Sequence, residues 1–288
     1  MSDITLSVAK KQQYFDGVKL LWEQDHSYLR NHVDVMQVKG KSTDLDIIGG
    51  VELQEIVGTH QNTPEAEIEH TLRRLSLQFF SQQLQLDLDD TVETITNFGS
   101  RYVQRLGAAA GRKQDEIIID ALVGTAYGGD AGVTPIALPS AQKIDTAGAT
   151  ALTVDKLRQA KRMFEENEFF GGLKCALSPK GKEDLLATTE VTSSDYNTVK
   201  ALVNGELNTF MGMEFIATNM IPHISSGAID RAIVFAPDAV RLGMGMEPKV
   251  RVGEDPRRNY MDTFFIMLGL GAVRTSDDHV VEIGFDIS

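Results

Sequence analysis

Tyr102-Val103-Gln104-Arg105-Leu106-Gly107-Ala108-Ala109-Ala110-Gly111-Arg112-Lys113-Gln114-Asp115-Glu116-Ile117-Ile118-Ile119-Asp120-Ala121-Leu122 is the stretch on which the fold turns. With Ile95 and Phe98 ahead of it, its residues Tyr102, Leu106, Ala109, Ala110, Ile117 and Ala121 make one apolar stripe at the helical period. This predicts a helix from about Val92 to Leu122. At about 1.5 Å per residue, about 30 residues make a rod about 45 Å long. That is long for a globular enzyme and suits a structural spine. Gly107 and Gly111 weaken the helix without ending it, and the small residues from Gly107 to Gly111 let another element approach closely. The acidic run Asp87-Leu88-Asp89-Asp90 lacks the glycine and the distal glutamate of a calcium loop; it puts negative charge near the helix start, where the dipole favours it.

On the N-terminal side, Val8, Phe15, Val18, Leu21 and Trp22 follow a near-helical spacing within Leu6 to Leu29. They describe an amphipathic arm that folds onto its own core or packs on a neighbour. From His32 to about Phe80 the period changes to two, as in Val33-Asp34-Val35-Met36-Gln37-Val38 and Leu75-Ser76-Leu77-Gln78-Phe79. Between these runs, Gly58-Thr59-His60-Gln61-Asn62-Thr63-Pro64 is made of turn-favouring residues. Two antiparallel strands joined at a polar tip are predicted. An isolated two-stranded ribbon is only marginally stable in water, so it needs a partner surface.

On the C-terminal side, Gly124 to Gly148 has no firm period and is predicted to be an irregular connection. Thr153 or Asp155 is placed to cap a helix running to about Glu168, with Leu157, Ala160, Met163 and Phe164 on one face. A strand over 174–177, a helix over 179–188 and a strand over 212–217 complete a mixed unit. Strand-like runs over 232–235, 249–252, 263–272 and 280–285 close the chain, with turn signals at Gly253-Glu254-Asp255-Pro256 and Ser276-Asp277-Asp278. The fold class expected is α+β.

Composition narrows the function. The 41 acidic and 28 basic residues give a formal charge of -13, and the basic residues are scattered, with short groups at Arg73-Arg74 and Arg257-Arg258. A protein that grips DNA by its phosphates concentrates cations on one face, so this one encloses nucleic acid if it meets it at all. The single cysteine, Cys175, allows neither an intrachain disulfide nor a cysteine cage, and stability must come from packing and association. The start shows no signal-peptide pattern and no apolar run reaches membrane-spanning length, so a cytoplasm-like compartment is expected.

Motifs for chemistry fail one by one. Gly128-Gly129-Asp130-Ala131-Gly132 lacks the Gly-Lys-Ser/Thr of a phosphate loop, and Leu268-Gly269-Leu270-Gly271 lacks the third glycine of a dinucleotide fingerprint. Glu-x-x-His occurs at Glu23 to His26 and Glu67 to His70, but in a strand the second pair points to opposite faces. Cys175 sits in an apolar strand, there is no Gly-x-Ser-x-Gly elbow, and the histidines are dispersed. No catalytic residue, metal site or cofactor is expected.

The order of parts, arm, long hairpin, spine helix, mixed unit and returning strands, resembles the major capsid proteins of tailed phages with the HK97-like fold. Lys39-Gly40-Lys41-Ser42 with Ile47-Ile48-Gly49-Gly50-Val51-Glu52, His60-Gln61-Asn62-Thr63-Pro64 and His70-Thr71-Leu72-Arg73-Arg74 are similar to the E-loop of one branch. Gly111-Arg112-Lys113-Gln114-Asp115-Glu116-Ile117-Ile118, with Gly124-Thr125-Ala126-Tyr127, resembles the end of the spine helix. Glu247-Pro248-Lys249-Val250-Arg251-Val252, Gly271-Ala272-Val273-Arg274 and Val280-Val281-Glu282-Ile283 are similar to the C-terminal strands.

The resemblance implies an N-arm over 1–31, an E-loop over 32–90 and a P-domain spine helix with its connection over 91–148. It implies an A-domain over 149–231, and C-terminal strands over 232–288 shared by A-domain and P-domain. It also implies a subunit that self-assembles as hexamers and pentamers into an icosahedral shell around double-stranded DNA, in the virion, after assembly in the bacterial host cytoplasm. Its partners would be copies of itself, a portal protein, decoration proteins and, unless scaffolding is not needed, a separate scaffolding protein. Inter-subunit contacts are expected at Phe15, Trp22, His60, Asn62, Arg73, Arg74, Arg257 and Arg258. Some relatives crosslink a lysine to an asparagine; Lys39, Lys41 and Asn259 are present without forming a recognisable set. An encapsulin-type compartment on the same fold and another phage structural protein are the alternatives.

Overall fold

The computed structural model describes residues 26–50, 68, 70–86, 98–129, 132–147, 150–187, 209–224, 229–258 and 260–286. In chain order the described elements are β1 (Asp34–Gln37), β2 (Ser42–Ile48), β3 (His70–Ser76), β4 (Gln78–Leu86), α1 (Phe98–Val123), β5 (Ala126–Gly128), β6 (Thr134–Ile136) and β7 (Lys143–Ile144). Then come α2 (Val154–Glu166), β8 (Leu173–Leu177), α3 (Pro179–Ala187), β9 (Thr209–Phe210), β10 (Met213–Ala217), β11 (Ile229–Phe235), β12 (Val240–Asp255), β13 (Met261–Arg274) and β14 (Val280–Asp286). The mixture of sheets with three helices is the α+β class that the sequence predicts.

The strands form three sheets, ordered β1-β12-β13-β4, β7-β14-β11-β8-β10-β9 and β2-β3-β5-β6. The first is built on a long hairpin in which β12 and β13 pair from Asp255↔Met261 to Val240↔Arg274, with register shifts around Met246. β4 adds along β13 from Leu86↔Asp262 to Gln78↔Leu270. The alternate side chains Phe264, Ile266, Leu268 and Leu270 point from β13 into one core with Leu106, Ala110, Ile118 and Leu122 of α1. Tyr102 meets Phe264 edge to face, ring centroids 5.8 Å apart. The long helix thus shares one apolar core with β4, β12 and β13 and with buried residues of β8, β10, β11 and β14, which is why α1 survives its internal glycines.

The expected apolar stripe is only part of what α1 buries. Ile118, Ile119 and Leu122 are fully buried, whereas Ile117 and Ala121 are partly covered. The helix is packed on more than one side, against the β12-β13 sheet and against the chain at residues 26–29, so burial spreads beyond one stripe. The stretch 124–148 also differs from the irregular connection predicted. It contains β5 and β6, which extend the β2-β3 sheet, and β7, which pairs parallel to β14. Strands of two or three residues are too short to show a period.

The second sheet is sandwiched with α2. Thr153 caps α2, its hydroxyl accepting the Lys156 N–H at 3.4 Å. Leu157, Ala160 and Phe164 bury against Cys175, Leu177, Val234, Val281 and Phe285. Lys156 donates to the carbonyls of Thr150 and Gly284 and pairs with Asp145 at 2.8 Å, so its buried ammonium is satisfied.

The predicted hairpin is seen at its base, where β2 and β3 run antiparallel from Ser42↔Ser76 to Ile48↔His70. Its tip, with His60 and Asn62, lies outside the described residues. At Ser76-Leu77 the chain leaves this ribbon and enters β4 of the first sheet, and the crossing is made possible by glycines. A Cβ on Gly271 would stand 2.1 Å from the Ser76 carbonyl oxygen. On Gly243 and Gly245 it would strike the side chains of Leu75 and Leu77. Gly271, in the run that lacks the third glycine of a dinucleotide fingerprint, is there for close backbone approach.

Candidate assembly surface

Three junctions fasten the protruding parts to the body. The first is at the ribbon's base. Arg274, at the end of β13, is fully buried. Its Nη1 donates to the carbonyls of Leu122 at 3.1 Å and Gly124 at 2.6 Å, and its Nη2 to that of Ile136 at 3.0 Å. The guanidinium therefore caps carbonyls at the C-terminal end of α1, where orphan acceptors and the helix dipole both favour a cation. Its Nε donates to Asp277 at 2.6 Å, and the other oxygen of Asp277 accepts from Arg73 Nη2 at 2.7 Å. One carboxylate thus ties β3 of the ribbon to the spine helix. Nε and Nη1 of Arg73 are buried without an acceptor, so the junction holds donors in reserve.

Arg74, the next residue, points to the opposite side of the strand. Its guanidinium grips Asp44 of β2 through Nε at 2.7 Å and Nη2 at 2.9 Å, a bidentate pair across the ribbon. The hydrogen bond from Arg74 holds the Asp44 carboxyl below its ordinary range, and the same bond raises Arg74. The pair is solvent-exposed and adds little to stability; it sets the ribbon's register. Arg74 also lines a cleft of about 380 Å³ between β3, β5 and the end of α1, together with Asp120, Tyr127 and Gln78. Burial, and then the Glu116 carboxylate, push the Asp120 carboxyl up.

The second junction holds the chain that leads into β1. Asp115, fully buried in the middle of α1, accepts from the backbone N–H groups of Tyr28 at 3.0 Å and Leu29 at 3.1 Å and from the Ser27 hydroxyl. One turn earlier, Gly111 leaves room for this backbone: a Cβ there would lie 2.8 Å from the His26 carbonyl carbon. Gly107, by contrast, faces open space. The small-residue run therefore has one position that the approach requires. Asp115→Ala strands two amides and a hydroxyl and is expected to cost about 2–3 kcal/mol. The measurement is amide exchange at Tyr28 and Leu29, which is expected to speed up while exchange in β11 and β14 is unchanged.

The third is the turn between β12 and β13. Arg258 Nη1 donates to Gln85 Oε1 at 2.6 Å, and Arg257 is exposed beside it. Phe15 and Trp22, like His60 and Asn62, lie outside the described residues, as do Glu23, Glu67 and Asn259. Of the eight expected contact residues, Arg73 and Arg74 are brought together at the ribbon's base, and Arg257 and Arg258 at the far turn. Sequence reasoning missed Arg274, Asp277 and Asp115. Arg274, a charged residue ending the apolar run Leu270-Gly271-Ala272-Val273, carries a sequence signal; Asp115 and Asp277 stand in polar stretches and carry none.

Cys175 is fully buried in β8, and burial pushes its thiol up to about 12. In the folded subunit it is expected to resist iodoacetamide at pH 8 over hours and to react at once in denaturant; rapid native labelling would contradict this packing. Among the described residues no group of three or more His, Cys, Asp or Glu is placed to hold a metal ion, and no helix is long and apolar enough to cross a membrane.

This fold is shared with solved phage capsids. The capsid of cyanophage P-SCSP1u superposes with a TM-score of 0.74 at 17% identity, over 96% of this chain and 93% of that one. Mycobacterium phage Che8 gives 0.71 at 15% identity, over 94% and 96%. The capsid of Ralstonia phage GP4 gives 0.74 at 12%, over 96% and 95%. Among curated proteins no sequence matches. The fold is HK97-like, the fold of a capsid shell subunit. The phage capsid protein family model matches residues 6–287, and the chain belongs to that family. It is a shell-forming capsid protein, and an encapsulin-type compartment is not favoured.

Proposed function

We infer that this subunit builds the icosahedral head of a tailed phage as hexamers and pentamers around double-stranded DNA. The observation that carries the reading is family membership along nearly the whole chain, joined to a body in which the base of the β2–β3 ribbon is fastened by buried side chains. Its role is structural, with no reaction of its own. Residues 1–31 serve as N-arm, 32–90 as E-loop, 91–148 as spine helix and connection, and 149–231 as A-domain. Residues 232–288 supply strands to both A-domain and P-domain.

The half-buried Arg74 and the exposed Arg257 and Arg258 meet neighbouring copies, as do Phe15, Trp22, His60 and Asn62. Arg73 reaches a neighbour only when its pair with Asp277 opens. A portal protein occupies one vertex, assembly takes place in the host cytoplasm with scaffolding from another protein or with none, and separate decoration proteins are further partners. The charge of -13 suits a container that releases its contents, because a strongly basic wall would hold DNA against packaging and ejection.

The test is the content of particles recovered from infected cells. Nuclease-resistant duplex DNA inside particles made mainly of this chain is expected. Particles filled with a protein cargo and free of DNA would overturn the reading.

A further inference from the structure

Two exposed turns carry opposite charge beside an unpartnered aromatic ring. The first follows α2, whose end is closed by a Schellman cap: Glu168 N–H donates to the Glu165 carbonyl at 3.1 Å and Phe169 N–H to that of Phe164 at 2.9 Å. Phe169 turns inward, its ring 6.2 Å from Phe164, and Phe170 turns outward with 79% of its surface exposed. The left-handed position of the cap, at φ 59°, is occupied by Glu168 where glycine fits without steric cost. Glu165, Glu166 and Glu168 also crowd the helix end that disfavours negative charge. Lys161 and Arg162 approach the first two at 3.8 and 3.2 Å, but Glu168 has no cation partner among the described residues.

The second turn joins β12 to β13. The Asp255 carbonyl accepts from the N–H groups of Arg258 and Tyr260, both at 3.1 Å, and its carboxylate accepts from that of Arg257 at 3.0 Å. Asp255 is therefore used within the turn. Tyr260 stands at φ 58° and is 60% exposed. Arg258 is bonded only to the neutral Gln85 amide, and no acceptor is found for the Arg257 guanidinium among the described residues. Glu254 alternates to the side of the strand opposite Lys249 and Arg251.

We propose that these turns meet across a boundary between two copies of this chain, Phe170 and Glu168 of one subunit against Tyr260, Arg257 and Arg258 of the next. The inference rests on the shell reading above and specifies one of its contacts. The contact is heterologous, a different patch on each partner, which is the kind that builds rings and closed surfaces. Pairing removes both aromatic rings from water and supplies Glu168 with the cation it lacks. Each contact is small, and repetition around the shell makes it count.

The test is the concentration threshold for particle formation by the full chain, read by sedimentation. Glu168→Arg alone, and Arg257→Glu with Arg258→Glu, are each expected to raise the threshold roughly tenfold, and the combination is expected to restore most of it. Glu168→Gly separates this role from a structural one. Relief of the left-handed glutamate is expected to raise the unassembled subunit's Tm by about 2–4 °C while particle formation still weakens. A second reading comes from Phe170→Cys combined with Tyr260→Cys, expected to give oxidised multimers only in particles, since the native Cys175 is buried. If wild-type particles form and the charge variants show neither loss nor mutual rescue, this contact is wrong and the shell reading stands. If wild-type protein forms no particles at any concentration, both fall.

Discussion

Arg274→Ala is expected to lower the unfolding free energy of the subunit by about 3–5 kcal/mol, because breaking a buried, fully bonded charge leaves its partners behind. Four partners are involved. The carbonyls of Leu122, Gly124 and Ile136 lose their donor at the end of α1, and Asp277 keeps only Arg73. The side chain is wholly buried, so the truncation also leaves a void where water has no ready access. Arg274→Lys is expected to recover less than half of the loss, since a single ammonium cannot reach acceptors arranged around a planar fork. Urea unfolding of the unassembled subunit measures both. A loss below about 1 kcal/mol for the alanine variant would mean that the junction is not where the ribbon is held.

Gly271→Ala carries the second large effect and acts through a single methyl group. The added Cβ would lie 2.1 Å from the Ser76 carbonyl oxygen and 3.0 Å from its carbon, both backbone atoms. That backbone has little freedom to retreat, because Leu77 N–H is bonded to the Lys41 carbonyl at 2.8 Å and Leu75 is fully buried beneath the crossing. Overpacking against backbone at such a site is expected to cost about 3 kcal/mol, the upper end for an inserted methyl. The ribbon's base should then detach from β13, seen as faster amide exchange in both β3 and β4. Gly107→Ala is the matched control. It faces open space on a helix and is expected to stabilise by about 0.5–1 kcal/mol.

What the sequence made legible follows from the physics of each element. α1, α2 and the C-terminal strands were readable because they are long enough for a period of 3.6 or 2 to repeat several times before being broken. Thr153 as the α2 cap was readable because capping is local, decided within three residues. β5, β6 and β7 were not readable, since each has two or three residues and exists only because a neighbouring strand edge is already in place. The junctions were harder still. Asp115 meets Ser27 across 88 positions and Arg73 meets Asp277 across 204, and no local pattern announces such partners.

The contact residues divide along the same line. Arg73-Arg74 stood out as an adjacent basic pair, but alternation along a strand sends the two side chains to different fates. One lies in a buried bridge to the body and the other on the ribbon's face with Asp44. Nothing in the pair itself says which is which; that depends on the face of β3 that meets Asp277. Gly271 shows the reverse case. Its motif invited a ligand, and its cause is a crossing strand.

The central claim is that the ribbon and leading segment complete their packing against other copies of the same chain. Electron cryomicroscopy of the purified protein measures this most directly. The account predicts hollow, closed shells of repeated rings, in which the β2–β3 ribbon of each subunit lies on its neighbour. A field of discrete single subunits at every concentration, each with its ribbon folded onto its own body, would contradict it.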